Sequence, residues 1–337
     1  MNSHLSLQRR SPVFLPRLLL ALSLGSAVIC PDFYQPALDW LYTSLRDSSV
    51  YRASTFETFW TVICYAIIEV TYVFKFAHNP QLRLAVRKEG HVSKRLPKLT
   101  RPKHRMKEAL TYVIPLLLLD LTMIKKFGGV PVRDMALSGN YDPDVVSMKG
   151  NFLQPTLHRF TLDSPLQTRR ALPYNAPSSR QLVLQLATSI LIYDTVFFFF
   201  HLALHKLPVL NNIHIAHHKH GEIHPQVTNQ LDIMERMGLV LLANFSLNII
   251  KSHVLTRTIF VPMFVWLLVD IHSGIDQTWG YDKLLPEGWA AGSRRHSQHH
   301  QCGTKYYEPF FNWWDDALEW ITASPSAEKE RDPEPDD

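Results

Sequence analysis

Cysteine is scarce here: three in 337 residues. Cys30 and Cys64 sit in apolar runs and Cys302 lies beside histidines, so three free thiols are expected rather than a disulfide framework. Without paired cysteines the chain has no structural zinc motif. An HExxH pattern is missing, which excludes the usual zinc-hydrolase arrangement. A GxGxxG fingerprint and a haem-binding module are missing too, so any redox chemistry must draw its electrons from elsewhere. No nucleic-acid motif accompanies the net charge of +5, and no internal repeat is seen.

What is present is segregated. Mean hydropathy is only −0.08, yet long apolar runs alternate with strongly basic ones. The basic excess therefore points to a membrane surface, not to nucleic acid. Residues 1–17 carry Arg9, Arg10 and Arg17, and "LLLALSLGSAVIC" follows at 18–30, a pattern expected to serve as a signal anchor. Residues 57–77 and 181–205 have spanning length; Glu57, Glu69 and Lys75 make the first imperfect. Residues 109–124, with Pro115 and Asp120, either span or dip in and return. Runs 237–250 and 254–271 read as a helical hairpin. The ten lysines and arginines of 79–108 place that stretch in the cytosol, and counting spans puts the segments after His201 there as well. The basic loop 125–181 then falls on the opposite side, against the same rule. The tail 324–337, acidic and proline-bearing, is expected to be disordered.

The chain holds 17 histidines, and twelve of them lie between His201 and His300. His201 and His205 are an i,i+4 pair on a helical run. Asp194, seven residues earlier, shares their face, and a carboxylate inside a span normally marks a site. It is expected to orient a histidine through the second ring nitrogen. His214, His217 and His218 form HxxHH, and His296, His299 and His300 repeat it. His272 stands between them at the end of the last apolar run. Neutral imidazole ligates iron, copper and zinc, and nine histidines exceed what one metal needs. His91, His158 and His253 read as ordinary surface or core residues, and His220 and His224 as loop residues flanking the site. A metal transporter would line several spans with polar groups, whereas only Asp120 and Asp194 stand out.

These residues resemble the fatty acid hydroxylase/sterol desaturase superfamily over roughly 190–317. Within it, "HLALHKLPVLNNIHIAHH", "VDIHSGID", "LLPEGWAAG", "HSQHH" and "PFFNWWDDAL" follow the order and spacing of the cholesterol 25-hydroxylase group. "GTKYYEPFFNWWD" is also similar to sphinganine C4-hydroxylases. The resemblance implies an all-α fold of about four to six membrane helices with a cytosolic histidine-rich cap holding a di-metal site. Its ligands would be His201, His205, His214, His217, His218, His272, His296, His299 and His300. Asp194, Glu235 and Asp270 would support them from outside, and Trp314 with Asp315 would be structural. Ile275 in place of an aromatic, Arg295 in place of a histidine, and "LEW" at 318–320 mark a divergent member.

The implied cofactors are two irons, with O2 as co-substrate and NAD(P)H electrons delivered by cytochrome b5 or a reductase. The implied activity is hydroxylation of an unactivated C–H in a sterol or other lipid-like molecule. The alternative is desaturation or stepwise oxidation of a polyketide or terpenoid metabolite. Membrane lipid is the other partner, no nucleic acid is involved, and the endoplasmic reticulum is the expected location, with the site facing the cytosol. Phe197 to Phe200 are expected to wall the site against water. The chain is expected to divide into 1–56 (anchor and lumenal segment), 57–180 (membrane helices and connecting loops), 181–322 (catalytic) and 323–337 (disordered acidic tail).

Overall fold

In the structure, a computed structural model, residues 13–84, 105–144, 153–219 and 223–323 are described. Most of the basic stretch 79–108, the tail 324–337, His91 and His220 lie outside them. The described residues are helical and form no strand beyond isolated bridge pairs, as the sequence led us to expect. The α-helices longer than four residues are α1 (Phe14–Ile29), α2 (Pro31–Asp47), α3 (Phe56–His78), α4 (Arg105–Thr122), α5 (Val132–Ser138), α6 (Ser179–Lys206), α7 (Pro208–His218), α8 (Ile233–Ile249), α9 (Val254–Ile271), α10 (Gly292–Cys302) and α11 (Trp313–Thr322).

Three of them, α3, α6 and α9, are long and apolar enough to cross a membrane. The 23 residues of α3 rise about 34 Å against a hydrocarbon thickness of about 30 Å. Helices α1 and α2 pass the same test together but bend by 88° at Cys30, so the count is three or up to four. That meets the expected range only at its lower end. In α4 the apolar part is short, Val113–Thr122. Phe59, Ile63, Ile67, Val70 and Phe74 recur every three or four residues along α3 and all stay exposed. Such a stripe suits contact with lipid tails and places the chain in the membrane.

Local chemistry sets the helix ends. The Ser178 side chain accepts from the Gln181 N–H at 3.1 Å and starts α6. Asp232 does the same for Met234 at 2.8 Å at the start of α8. His253 caps α9: its Nδ1 accepts from Leu255 N–H at 3.1 Å, so Nε2 carries the proton and donates to the Asn175 carbonyl at 3.0 Å. Gly303, at φ 64°, closes α10 in the left-handed conformation glycine favours.

Helix α9 lies along α3, while α8, α7 and α1 pack on α6. The expected hairpin of 237–250 and 254–271 is thus splayed: α8 leans on α6, α9 leans on α3, and a cavity opens between them. Where α8 does approach α6, Gly238 makes room, since a Cβ there would sit 2.7 Å from the Phe200 ring. Tyr193, Phe197, Leu267, Ile271 and Phe310 form the core beneath the histidines.

Candidate metal centre

Four segments bring their histidines to one place. The last turns of α6 carry His201 and His205. Helix α7 carries His214, His217 and His218. His272 follows α9 directly, and α10 carries His296, His299 and His300. These nine residues form two convergent groups, His201–His205–His214–His218–His299 and His217–His272–His296–His300. They are the nine named from the sequence. Each HxxHH contributes to both groups, because adjacent residues on a helix point about 100° apart.

The ring nitrogens face inward. Nε2 of His214 lies 3.1 Å from Nε2 of His201, 3.1 Å from that of His205 and 2.9 Å from that of His218. His205 and His299 approach at 3.1 Å. In the other group the Nε2 separations are 3.2 Å for His217–His272, 2.9 Å for His272–His296 and 3.2 Å for His296–His300.

The outer nitrogens show that these contacts are not a chain of hydrogen bonds. Nδ1–H of His201 donates to the Tyr307 carbonyl at 2.7 Å, and that of His299 to the Lys305 carbonyl at 2.7 Å. His272 donates to the Leu268 carbonyl at 2.8 Å, and His214 to Glu235 Oε1 at 2.8 Å. A neutral imidazole has one N–H, so these four rings turn lone pairs toward the centre. The His201 and His214 lone pairs face each other at 3.1 Å. Only a cation between them makes that arrangement favourable. Nitrogens held about 2.1 Å from a metal at right angles would lie about 3.0 Å apart, which is the spacing found. An all-imidazole donor set suits a first-row transition metal, so the residues fit the implied group.

Burial, reinforced by the imidazoles facing them, holds His296, His299 and His300 well below the usual histidine range. They are therefore neutral at pH 7, the state ligation requires.

The supporting carboxylates differ from expectation in two of three cases. Glu235, in the first turn of α8, accepts from His214 Nδ1 at 2.8 Å. Asp194 bonds to the backbone instead. Its Oδ1 accepts from the N–H groups of Phe310 at 2.8 Å and Phe311 at 3.3 Å, because the returning chain at 305–312 comes between it and the rings. Asp270 accepts instead from Tyr72 Oη at 2.7 Å and Gln277 Nε2 at 2.7 Å, tying α9 to α3. Asp315, assigned with Trp314 to a structural role, accepts from the Tyr307 and Glu308 N–H groups at 2.7 and 3.0 Å. It thereby fixes the strip whose carbonyl holds His201.

Those carbonyl partners were missed in the sequence, where a main-chain acceptor leaves no signal. Gly274 is legible in hindsight. Its φ is 66°, and a Cβ would overlap the Ile223 carbonyl. The "HSG" turn therefore needs a glycine to release His272 from α9. His158 and His253 are core residues with carbonyl partners, and His224 is buried outside both groups.

A cavity of about 630 Å³ leads to the centre. Val62, Leu239, Ala243, Phe264 and Leu268 give it apolar walls, and His201, His214, His217, His272 and His296 close one end. Of the four consecutive phenylalanines only Phe197 lines it. Phe198 stacks on Trp314, Phe199 is exposed and Phe200 packs on Gly238.

Fold and site together define a helical membrane protein whose two nitrogen cages stand at the end of an apolar cavity. Residues 186–319 match the fatty acid hydroxylase family model. It is 30% identical over 159 residues to cholesterol 25-hydroxylase of Rattus norvegicus, covering 47% of this chain and 53% of the relative. A cholesterol 25-hydroxylase-like protein of Danio rerio is 32% identical over 141 residues, 42% and 56% of the two chains. A methylsterol monooxygenase of Aspergillus fumigatus is 27% identical over 163 residues, 46% and 53%. The chain spans about half the length of the curated relatives it matches. No solved structure matches it.

Proposed function

We propose that the chain is a membrane-embedded di-iron oxygenase that hydroxylates an unactivated C–H of a sterol or other lipid-like substrate. The observation that carries this is the convergence of nine imidazole nitrogens at the closed end of an apolar cavity. His201, His205, His214, His218 and His299 would hold one iron, and His217, His272, His296 and His300 the other. Iron bound there would supply the dioxygen activation that cleavage of such a bond requires.

The chain's own residues bind, orient and exclude water. Phe197, Leu239, Phe264 and Leu268 surround the hydrocarbon and keep solvent from the centre. Glu235 and the Tyr307 carbonyl hold His214 and His201 in the tautomer that turns Nε2 inward. The overall balance is R–H, O2, two electrons and two protons giving R–OH and water. The electrons come from NAD(P)H through cytochrome b5 or a reductase docked from the cytosol. The site faces that side of the endoplasmic reticulum membrane, and the catalytic unit is 181–322.

Product analysis with His217→Ala tests this. Microsomes expressing the parent chain should convert an added sterol or related lipid to a product one oxygen heavier. The variant should insert in the membrane equally well and give none. Product retained in His217→Ala would overturn the ligand assignment. A product two hydrogens lighter would make the chain a desaturase.

A further inference from the structure

The cavity has a second polar end, remote from the histidines. Glu57 opens α3, Arg257 lies in the first turn of α9, and Asn244 sits in the last half of α8; all three line the cavity. Along α9, Arg257 and His272 are fifteen residues apart, a rise of about 22 Å. Along α8, Glu235 and Asn244 are separated by about 14 Å. The hydrocarbon of one membrane leaflet is about 15 Å deep. An extended lipid-like molecule somewhat longer than the hydrocarbon depth of one leaflet therefore reaches from one end to the other.

The charges at this end do not balance. Lys125 contacts Glu57 at 3.4 Å and also Asp120, and Arg170 contacts Glu57 at 2.9 Å. Arg257 is 5% exposed, yet its nearest carboxylate oxygen, on Glu57, is 3.9 Å away. Its Nη1 donates to Asn244 Oδ1 at 3.1 Å and its Nη2 to Asn248 Oδ1. Its Nε has no partner among the described residues. Three cations thus face two carboxylates, and Arg257 shares Glu57 with Lys125 and Arg170, which both approach it more closely. A buried guanidinium hydrogen-bonded to amides, with only a shared carboxylate at 3.9 Å and an unmatched N–H, is costly.

We propose that this end of the cavity is a head-group site: Arg257 binds a terminal carboxylate of an amphipathic lipid-like substrate and directs the opposite end of its hydrocarbon to the histidines. Which end is oxidised rests on the oxygenase reading; the binding itself does not.

Binding is therefore measured on metal-depleted full chain in lipid nanodiscs, with empty nanodiscs as background. Radiolabelled hexadecanoate is compared with its methyl ester, which keeps the chain and removes the anion. The parent chain should bind the acid at least about tenfold more tightly than the ester, since a hydrogen bond to a charged group is involved. Arg257→Gln should bring the acid down to the ester, and Arg257→Lys should restore part of the preference. Equal binding of acid and ester by the parent, or a preference that survives Arg257→Gln, would overturn the proposal. Should the arginine variants fail to fold, Val261→Trp, which fills the cavity about one helical turn from Arg257, decides. Loss of saturable acid binding supports the site, and undiminished binding refutes it. Lost turnover with intact acid preference would instead count against the oxygenase reading alone.

Discussion

Glu235→Leu separates support of a metal ligand from support of the fold. Glu235 is 4% exposed, and its Oε1 takes the His214 N–H at 2.8 Å. His214 Nε2 is the hub of the five-histidine group, within 3.1 Å of three other rings. Leucine removes the acceptor that fixes the tautomer and the ring angle. Loss of such an outer partner typically costs ten- to a hundredfold in metal affinity, about 1.4–2.7 kcal/mol. The metal-free fold should change little. Leaving the imidazole N–H unpaired costs about 1–3 kcal/mol, but leucine also removes Glu235 Oε2, which is buried without a partner among the described residues. Chelator competition on the purified chain should show one of two bound metals released ten- to a hundredfold more readily, with the other unaffected. Glu235→Gln, which keeps an acceptor, should lose less. Unchanged affinity at both sites, or an equal loss at both, would refute the reasoning.

Gly274→Ala should place a Cβ against the Ile223 carbonyl at a positive φ. The conformation alone costs about 1–2 kcal/mol, and the expected result is a lower melting temperature with loss of metal from the His272 group; a parent-like melt and metal content would contradict it. Burial pushes the Asp315 carboxyl up to about 6, against the opposing pull of the Glu308 and Tyr307 N–H groups. A folded value above the unfolded one means the folded state takes up the proton more readily, so protonation adds stability as pH falls from 6 toward the unfolded value. Relative to Asp315→Asn, in which the buried histidines are unchanged, the parent should gain about 1 kcal/mol between pH 7.5 and 5; a flat difference in denaturant melts would show that the carboxyl titrates normally. Tyr72→Phe removes the donor to Asp270 and the acceptor for Trp266 Nε1. It should cost about 1–3 kcal/mol while metal content stays at the parent value, and metal loss without destabilisation would place Asp270 among the residues holding the centre.

The histidines were legible because their spacing is a helical statement: i,i+4 on α6 and HxxHH on α7 and α10 each put rings on a shared end. Their division into two groups was not, since it depends on how α7 and α10 are rotated against α6 and α9, which side-chain packing decides. Asp194 stood out as a carboxylate inside a span and Asp270 as a candidate support for the histidines, but sequence distance could not reveal that the chain at 305–312 and the Tyr72 hydroxyl reach them. Glu57 read as a flaw in a span. Its partners Arg170 and Arg257 lie 113 and 200 residues away, and the loop that brings Arg170 back has no period to betray it. The splayed α8–α9 pair was equally hidden, because an apolar face reads the same whether it packs on a neighbour or lines a cavity.

The most direct measurement is metal content per chain, on the 337-residue chain purified in mild detergent after expression with iron. About two irons per chain are predicted, with His217→Ala retaining the one held by the five-histidine group. Well-folded protein that binds no metal, even after iron reconstitution, would contradict the account at its centre.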